Sequence, residues 1–208
     1  MIKESIKYGW TKVKENLEIS IFTTLLMLIV GVVSGGNKGL FKSILGILAT
    51  IFLLVIRIGY NKIFLRISDG EKPKFNDIFK EYSLFWKFLG VSILMPIVVF
   101  AGLILLIVPG IIWAVRFSLA PLILVDTKIG PIASMKESWA ITRGNFWKML
   151  GFWIVIGLIN LLGLLIIGVG LLITFPISTF AMIHVYRFLS SSRAAITVEP
   201  APMPAPVA

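Results

Sequence analysis

The stretch SMKESWAITRGNFWKMLG (Ser134–Gly151) decides how this chain is built. Its first half places basic and apolar residues at helical spacing, which is typical of a helix lying at a membrane surface. Its second half leads directly into an apolar run that continues to residue 169. The stretch therefore predicts an interfacial helix followed by a membrane-spanning helix.

The same pattern occurs near the N-terminus and again in the middle of the chain. Ser5–Trp10 (SIKYGW) matches Ser134–Trp139 (SMKESW), and Phe85–Gly90 (FWKFLG) matches Phe146–Gly151 (FWKMLG) almost letter for letter. Each copy precedes a long apolar run, a short break and a second apolar run. We therefore predict three pseudo-repeats, each an amphipathic helix followed by a membrane hairpin. They cover about residues 2–65, 75–125 and 132–189, with the amphipathic parts at 2–17, 75–82 and 132–144.

The composition indicates a membrane protein. Hydrophobic residues make up 58% of the 208 residues, whereas the apolar share of a soluble domain is roughly 45–50%. We predict an all-α integral membrane protein with six transmembrane helices in one domain, residues 1–190. The predicted spans are Ile19–Val33, Leu40–Leu65, Trp86–Val108, Ile111–Val125, Phe146–Val169 and Leu171–Leu189. Residues 191–208 are rich in Ser, Ala and Pro and are predicted to form a disordered cytoplasmic tail.

Three breaks separate the helices of the predicted hairpins. They are the glycine-rich Ser34–Gly39, the dipeptide Pro109-Gly110 and the short Gly168–Gly170. Glycine and proline are the residues that most often interrupt helices. We therefore expect the chain to reverse direction at each of them.

The positive charge of the chain, +10 in total, is distributed unevenly about the predicted spans. Most cations lie with the N-terminus, the two long loops and the tail, and only Lys38 and Lys42 lie on the opposite side. By the positive-inside rule, both termini are cytoplasmic in a multi-pass protein of the cell (inner) membrane. The expected partners are anionic membrane lipids, with a second copy or another membrane protein as a further candidate. Nucleic acid is not expected, because the basic residues adjoin membrane segments.

The chemistry-bearing residues argue against an enzyme. The chain has no cysteine and one histidine, and all its acidic residues fall outside the predicted spans. Neither a metal-dependent site nor a bound cofactor is therefore expected. His184, near the cytoplasmic end of the sixth span, is interpreted as an interfacial, hydrogen-bonded histidine. An intramembrane hydrolase centred on His184 is a third hypothesis that lacks partner residues.

Three polar residues inside the predicted spans are candidates for binding a ligand or a lipid headgroup, together with His184. Arg116 and Arg57 would each cost roughly 2.5–3.5 kcal/mol on insertion scales unless they face a partner or a cavity. Arg57 is near enough to the inner surface to snorkel. Arg116 either ties to backbone carbonyls freed by proline or binds an anionic headgroup or solute. Asn160 is expected to bridge helices.

A second set of residues is predicted to lie at the membrane–water interface. Tryptophan is enriched at that depth, and cations there contact headgroups. The set comprises Trp10, Lys80, Trp86, Trp139, Arg143 and Trp147.

Two longer segments, Ile56–Phe79 and Leu106–Gly151, resemble a broad set of uncharacterised prokaryotic polytopic membrane proteins. This set is related to the membrane domain attached to some glycerophosphodiester phosphodiesterases. The matching features are Pro109-Gly110, Arg116, Phe117, Pro121, Asp126, Gly130-Pro131, Ser138-Trp139 and Thr142–Asn145. The resemblance covers about residues 2–190 and implies a six-helix membrane protein. In the fused enzymes the phosphodiester chemistry belongs to a separate soluble domain, which this sequence lacks.

Two functions of different classes follow. The leading hypothesis is a non-enzymatic membrane protein with a lipid-associated, envelope or assembly role, whose amphipathic helices lie on the cytoplasmic leaflet. The alternative is a small transporter or exporter of an anionic solute or lipid that uses Arg116.

Overall fold

All the regular secondary structure in the described part of the chain is helical. The computed structural model describes residues 1–35, 40–165 and 170–197, and no strand occurs among them. The α-helices are α1 (Ile2–Glu15), α2 (Leu17–Gly35), α3 (Leu40–Ser68), α4 (Phe85–Leu105), α5 (Ile107–Phe117), α6 (Ala120–Thr127), α7 (Pro131–Thr142), α8 (Phe146–Leu165) and α9 (Leu171–Thr197). Two 3-10 turns, Phe75–Phe79 and Tyr82–Leu84, lie between α3 and α4.

Five helical segments of the described residues are long and apolar enough to cross a membrane. They are Leu48–Ser68, Phe75–Leu105, Ile107–Thr127, Phe146–Leu165 and Leu171–Arg193. The apolar part of α2, Leu17–Val30, is shorter. Because a bilayer requires about 20 apolar residues, the chain has five to six candidate spans. The protein is an all-α integral membrane protein, as the composition predicts.

The turn between α4 and α5 lies earlier than the sequence predicts. Leu106 adopts an extended conformation (φ −164°, ψ 145°) and separates the two helices. Pro109 therefore falls in the first turn of α5, where the missing N–H has no helical partner to lose. Gly110 packs directly on Gly102 and Leu103 of α4. The prediction of a hairpin is right, but Pro109-Gly110 forms part of the returning helix and not the break.

The predicted fourth span, Ile111–Val125, is divided into α5 and α6. The division falls at Ser118 and Leu119, just before Pro121 in the first turn of α6. Helix α6 is buried on all sides, because Leu122 to Val125 have no exposed surface. It forms the centre of the hydrophobic core.

The middle amphipathic segment, predicted as a helix over 75–82, forms the two 3-10 turns instead. Ile78 inserts into the core with 1% of its surface exposed, and its backbone lies directly on Gly59 of α3. The Asp77 carboxylate accepts a hydrogen bond from the Lys74 backbone N–H at 3.0 Å and pairs with Lys80 at 2.6 Å. These local bonds hold the tighter turns.

The first amphipathic segment is helical and packs on the last helix. Gly9 of α1 is in contact with the Ile177 backbone of α9, and a side chain there would overlap the Ile177 carbonyl. Lys3, Lys7 and Lys14 are exposed on the other faces of α1. Helix α1 is therefore part of the bundle as well as of its basic surface.

The predicted boundary between the last helix and the tail is wrong. Helix α9 continues to Thr197, so residues 191–197, predicted as the start of a disordered tail, are helical. The remainder of that tail, 198–208, lies outside the described residues, as do 36–39 and 166–169 within the first and third predicted breaks.

The contact between Gly59 and Ile78 gives a first testable prediction. Gly59→Ala is expected to lower the free energy of unfolding by about 1–3 kcal/mol, because the new methyl group would overlap backbone atoms of a fully packed turn. Thermal unfolding of the purified protein in a neutral detergent measures the change. Gly157→Ala is the matched control, since nothing lies within 4 Å of a Cβ there. Equal melting temperatures for the two variants would contradict the packing described.

Candidate ligand cavity

A cavity of about 430 Å³ lies within the bundle, lined mainly by α3, α4, α6, α8 and α9. Ligand sites in proteins commonly have volumes of roughly 300–1,000 Å³ and a mostly apolar lining with a few polar groups. The polar lining residues include Arg57, Asn61, Ser92, Trp153, Asn160 and Ser178. Two residues predicted separately as ligand candidates, Arg57 and Asn160, thus line one cavity.

Among the described residues that line this cavity, Arg57 is the only charged one. Its guanidinium makes no hydrogen bond or ion pair with any residue that the structure describes. Asn61, one helical turn further along α3, lines the same wall because residues four apart share a helix face. A cation at this depth normally has a partner. The cavity therefore carries a positive charge that no described carboxylate neutralises.

Asn160 joins two helices and keeps one polar atom unused. Its side-chain N–H donates to Ser178 Oγ at 2.8 Å and to the Ile156 carbonyl at 3.0 Å. Its Oδ1 is buried without a hydrogen-bond partner, and so is Nε1 of Trp153 two turns earlier on α8. The bridging role predicted for Asn160 agrees with these bonds. The unpaired N–H of Trp153 could donate to a ligand.

Tyr60 closes one side of the cavity through contacts with two other helices. Its hydroxyl lies 3.4 Å from Thr24 Oγ1 of α2 and 3.2 Å from Thr179 Oγ1 of α9. The ring stacks on Phe64 with 4.3 Å between centroids. Tyr60 and Thr179 are thereby held in fixed positions, as a preformed cavity wall requires.

Two residues of the cavity lining, Arg57 and Trp153, can be placed along their helices. Arg57 precedes the end of α3, Ser68, by eleven residues, or roughly 16 Å at 1.5 Å per residue. Trp153 follows the start of α8 by seven residues. A hydrocarbon core is about 30 Å thick, so these two residues lie between the ends and the middle of their helices.

Arg116 does not line this cavity. Its guanidinium carbon lies 4.5 Å from the centre of the Trp139 ring, a cation–π contact. The Arg116 carbonyl accepts a hydrogen bond from Ser138 Oγ at 2.6 Å. These contacts tie α5 to α7, and the Nε atom remains buried without a partner.

His184 also lies apart from the cavity. Its Nδ1 is 3.0 Å from Ser5 Oγ, and its ring packs on Tyr8 at 4.9 Å between centroids. Ser5 has no exposed surface and also donates to the Met1 carbonyl at 2.9 Å. The histidine is hydrogen-bonded, as the sequence analysis predicts, and it links α9 to α1.

The residues predicted at the interface are mostly exposed. Trp10, Trp86 and Trp147 have 45%, 77% and 79% of their surfaces accessible. Lys80 and Arg143 are also exposed, while Trp139 is half-buried beneath Arg116. Among the described residues no group of three or more His, Cys, Asp or Glu could hold a metal ion.

Several residues that line the cavity are not among the candidates from sequence, namely Trp153, Ser92 and Ser178. One signal was available: Trp153 and Asn160 are seven residues apart, so they share a face of α8. The serines carry no such signal, because a serine in a span usually bonds to its own helix.

The link between α8 and α9 gives a second prediction. Asn160→Ala is expected to lower the free energy of unfolding by about 0.6–1.7 kcal/mol, the range measured for interhelical hydrogen bonds in membranes. Chemical unfolding in mixed micelles measures it. Ser92→Ala is the control, because Ser92 lines the same cavity and its hydroxyl bonds to no described residue. An Asn160→Ala protein as stable as the control would rule out a bridging role.

Comparison with known proteins places the chain among membrane proteins. It is 30% identical over 138 residues to an uncharacterized protein of Mycobacterium tuberculosis, which covers 66% of this chain and 42% of that protein. It is 44% identical over 52 residues to a UPF0259 membrane protein of Sodalis glossinidius, covering 25% of this chain and 21% of that protein. The chain thus spans about two-fifths of the length of its mycobacterial relative. No solved structure matches. Residues 83–207, from the turn before α4 onward, match the family described as a domain of unknown function, DUF7847, and the chain belongs to that family.

Proposed function

We propose that this protein is a non-enzymatic membrane protein that binds an anionic lipid in the cavity lined by Arg57. The observation that carries the proposal is that the Arg57 guanidinium bonds to no described residue, in a cavity whose described lining contains no carboxylate. An anionic group bound there would supply the missing counter-charge, which is worth more in a medium of low dielectric constant.

The remainder of the lining favours an amphiphile over a small inorganic anion. Met27, Met95 and Phe175 supply apolar wall, which an acyl chain would contact. Flexible methionine side chains adapt to ligands of different shape. The phosphate of a lipid would pair with Arg57, and Trp153 would donate its unused N–H.

The basic surface of the bundle supports an anionic membrane environment. Exposed lysines of α1 can each gain on the order of 1 kcal/mol from anionic lipid when they lie near the leaflet. As part of this proposal, both termini face the cytoplasm at the inner membrane, and the chain consists of three pseudo-repeats. A second copy or another membrane protein remains a predicted partner. A relationship to the membrane domain of glycerophosphodiester phosphodiesterases also stays a prediction. If it holds, phosphodiester chemistry would belong to a separate domain.

The alternative function, transport of an anionic solute or lipid, would use the same cavity. Pro96, which lines the cavity, lies inside α4, where it removes a helical hydrogen bond and favours a helix that can bend. In this alternative Arg57 would contact the solute, because Arg116 lies outside the cavity. Uptake of a labelled anion into proteoliposomes that depends on Arg57 would favour transport.

Native mass spectrometry of the protein released from its own membrane tests the binding proposal. Wild type is expected to retain an anionic lipid, and Arg57→Gln is expected to lose it. Arg57→Lys should retain part of the binding, since it keeps the charge but not the planar fork. Arg116→Gln is the matched control, because it removes an intramembrane arginine outside the cavity. Identical lipid retention by wild type and Arg57→Gln would refute the proposal.

A stability measurement provides a separate test of the same residue. Arg57→Met is expected to raise the free energy of unfolding of lipid-free protein by about 1–2 kcal/mol, part of the roughly 2.5–3.5 kcal/mol that a mid-span arginine costs. Added anionic lipid should then stabilise wild type but not the variant. A variant that is less stable than lipid-free wild type would indicate that Arg57 has a structural role instead.

A further inference from the structure

A second pocket, of about 380 Å³, lies at the junction of α7 and α8 beside the end of α9. Its charged lining residues are Arg143, which directly follows α7, and Arg193 of α9. Arg193 lies in the segment that the sequence predicts to be disordered. The continuation of α9 to Thr197 brings this second arginine to the pocket.

We propose that this rim pocket binds a phosphate group. The planar guanidinium of arginine matches phosphate oxygens with two parallel hydrogen bonds. Two such groups from separate helices face one volume large enough for a phosphate ester. The ligand is either the headgroup of a phosphate-bearing lipid or a soluble phosphate compound, since both present the same oxygens.

Three polar residues of the pocket other than Arg193 have groups that could bind such a ligand. Arg143 is exposed and bonds to no described side chain or carbonyl. Asn145, the residue before α8, lines the pocket, and its side-chain amide likewise has no bond within the described chain. Ser192 lines the same pocket. Its hydroxyl donates to the Phe188 carbonyl at 2.8 Å, which leaves the oxygen free to accept.

One carboxylate competes for this site. Glu137 Oε1 lies 3.3 Å from Arg193 Nη1, a long contact for a charge-assisted hydrogen bond. Trp139 forms one wall of the pocket and carries the Arg116 guanidinium on its ring. Arg143 and Arg193 are the charged residues among the described lining of this pocket, and this local positive charge favours an anion.

Binding to the purified protein in a neutral detergent tests the proposal. The probes are dioctanoyl phosphatidic acid and inorganic phosphate, with dioctanoyl phosphatidylcholine as the zwitterionic comparison, and isothermal titration calorimetry gives the affinities. Arg143→Gln and Arg193→Gln are each expected to weaken binding about tenfold. Glu137→Gln is expected to strengthen it several-fold, because it removes the competing carboxylate. Lys148→Gln, an exposed charge that does not line the pocket, should change it less than twofold.

The outcomes distinguish a lipid headgroup from a soluble phosphate compound as the ligand, or they rule out the proposed site. Binding of phosphatidic acid alone identifies a lipid headgroup, and binding of both probes identifies a soluble phosphate group. No binding of either probe, or equal losses in Lys148→Gln and Arg143→Gln, overturns the proposal. The Arg57→Gln background separates the two cavities: rim binding should persist there even where the central cavity has lost its lipid.

Discussion

Lipid provides no hydrophobic force that drives one apolar helix onto another, and this constraint governs the whole fold. Helices in a membrane associate through close packing and polar contacts. Both occur here. Glycines permit backbone contact between Gly9 and Ile177 and between Gly163 and Gly170. Hydroxyl and amide side chains then link the helices, as Asn160 links α8 to α9.

Ion pairs between charged residues also hold the helices together. Arg187 of α9 pairs with Asp69, just beyond α3, and with Asp126 of α6, both at 2.9 Å. Tyr186 donates to the same Asp126 carboxylate at 2.8 Å. Three helices thus meet at one cluster near the ends of the spans, where charges keep contact with water. Several of the few carboxylates are thus paired within the chain. The remaining cations give the protein a net positive charge, which attracts anionic ligands.

The predictability of the fold differs between its elements for physical reasons. Apolar runs indicate spans directly, because a bilayer requires a minimum length. The 3-10 turns around Ile78 depend on its fit against Gly59, and a helical pattern in sequence contains no information about that contact. The turn lies at Leu106 and not at the predicted Pro109-Gly110, because proline is compatible with the first turn of a helix as well as with a break.

The same reasoning applies to the two candidate arginines. From sequence, Arg116 is the deeper residue of the pair and lacks a carboxylate in its own span, so it is the stronger candidate for a ligand. In the structure Trp139, from another helix, supplies an aromatic face for Arg116, and Arg116 is not among the residues that line the cavity. Which helix lies beside an arginine is a property of the tertiary packing, and local spacing does not encode it.

Arg57 and Arg116 differ in the contacts that they make with the described residues. Both residues lie in predicted spans, and both would cost free energy without compensation. Arg116 gains part of this compensation from the ring of Trp139, while its Nε stays buried without a partner. Arg57 has no compensating hydrogen bond or ion pair with the described residues. It lines the cavity together with Trp153, whose N–H is buried without a partner. The proposed function accounts for this difference by a ligand from the membrane that pairs with Arg57.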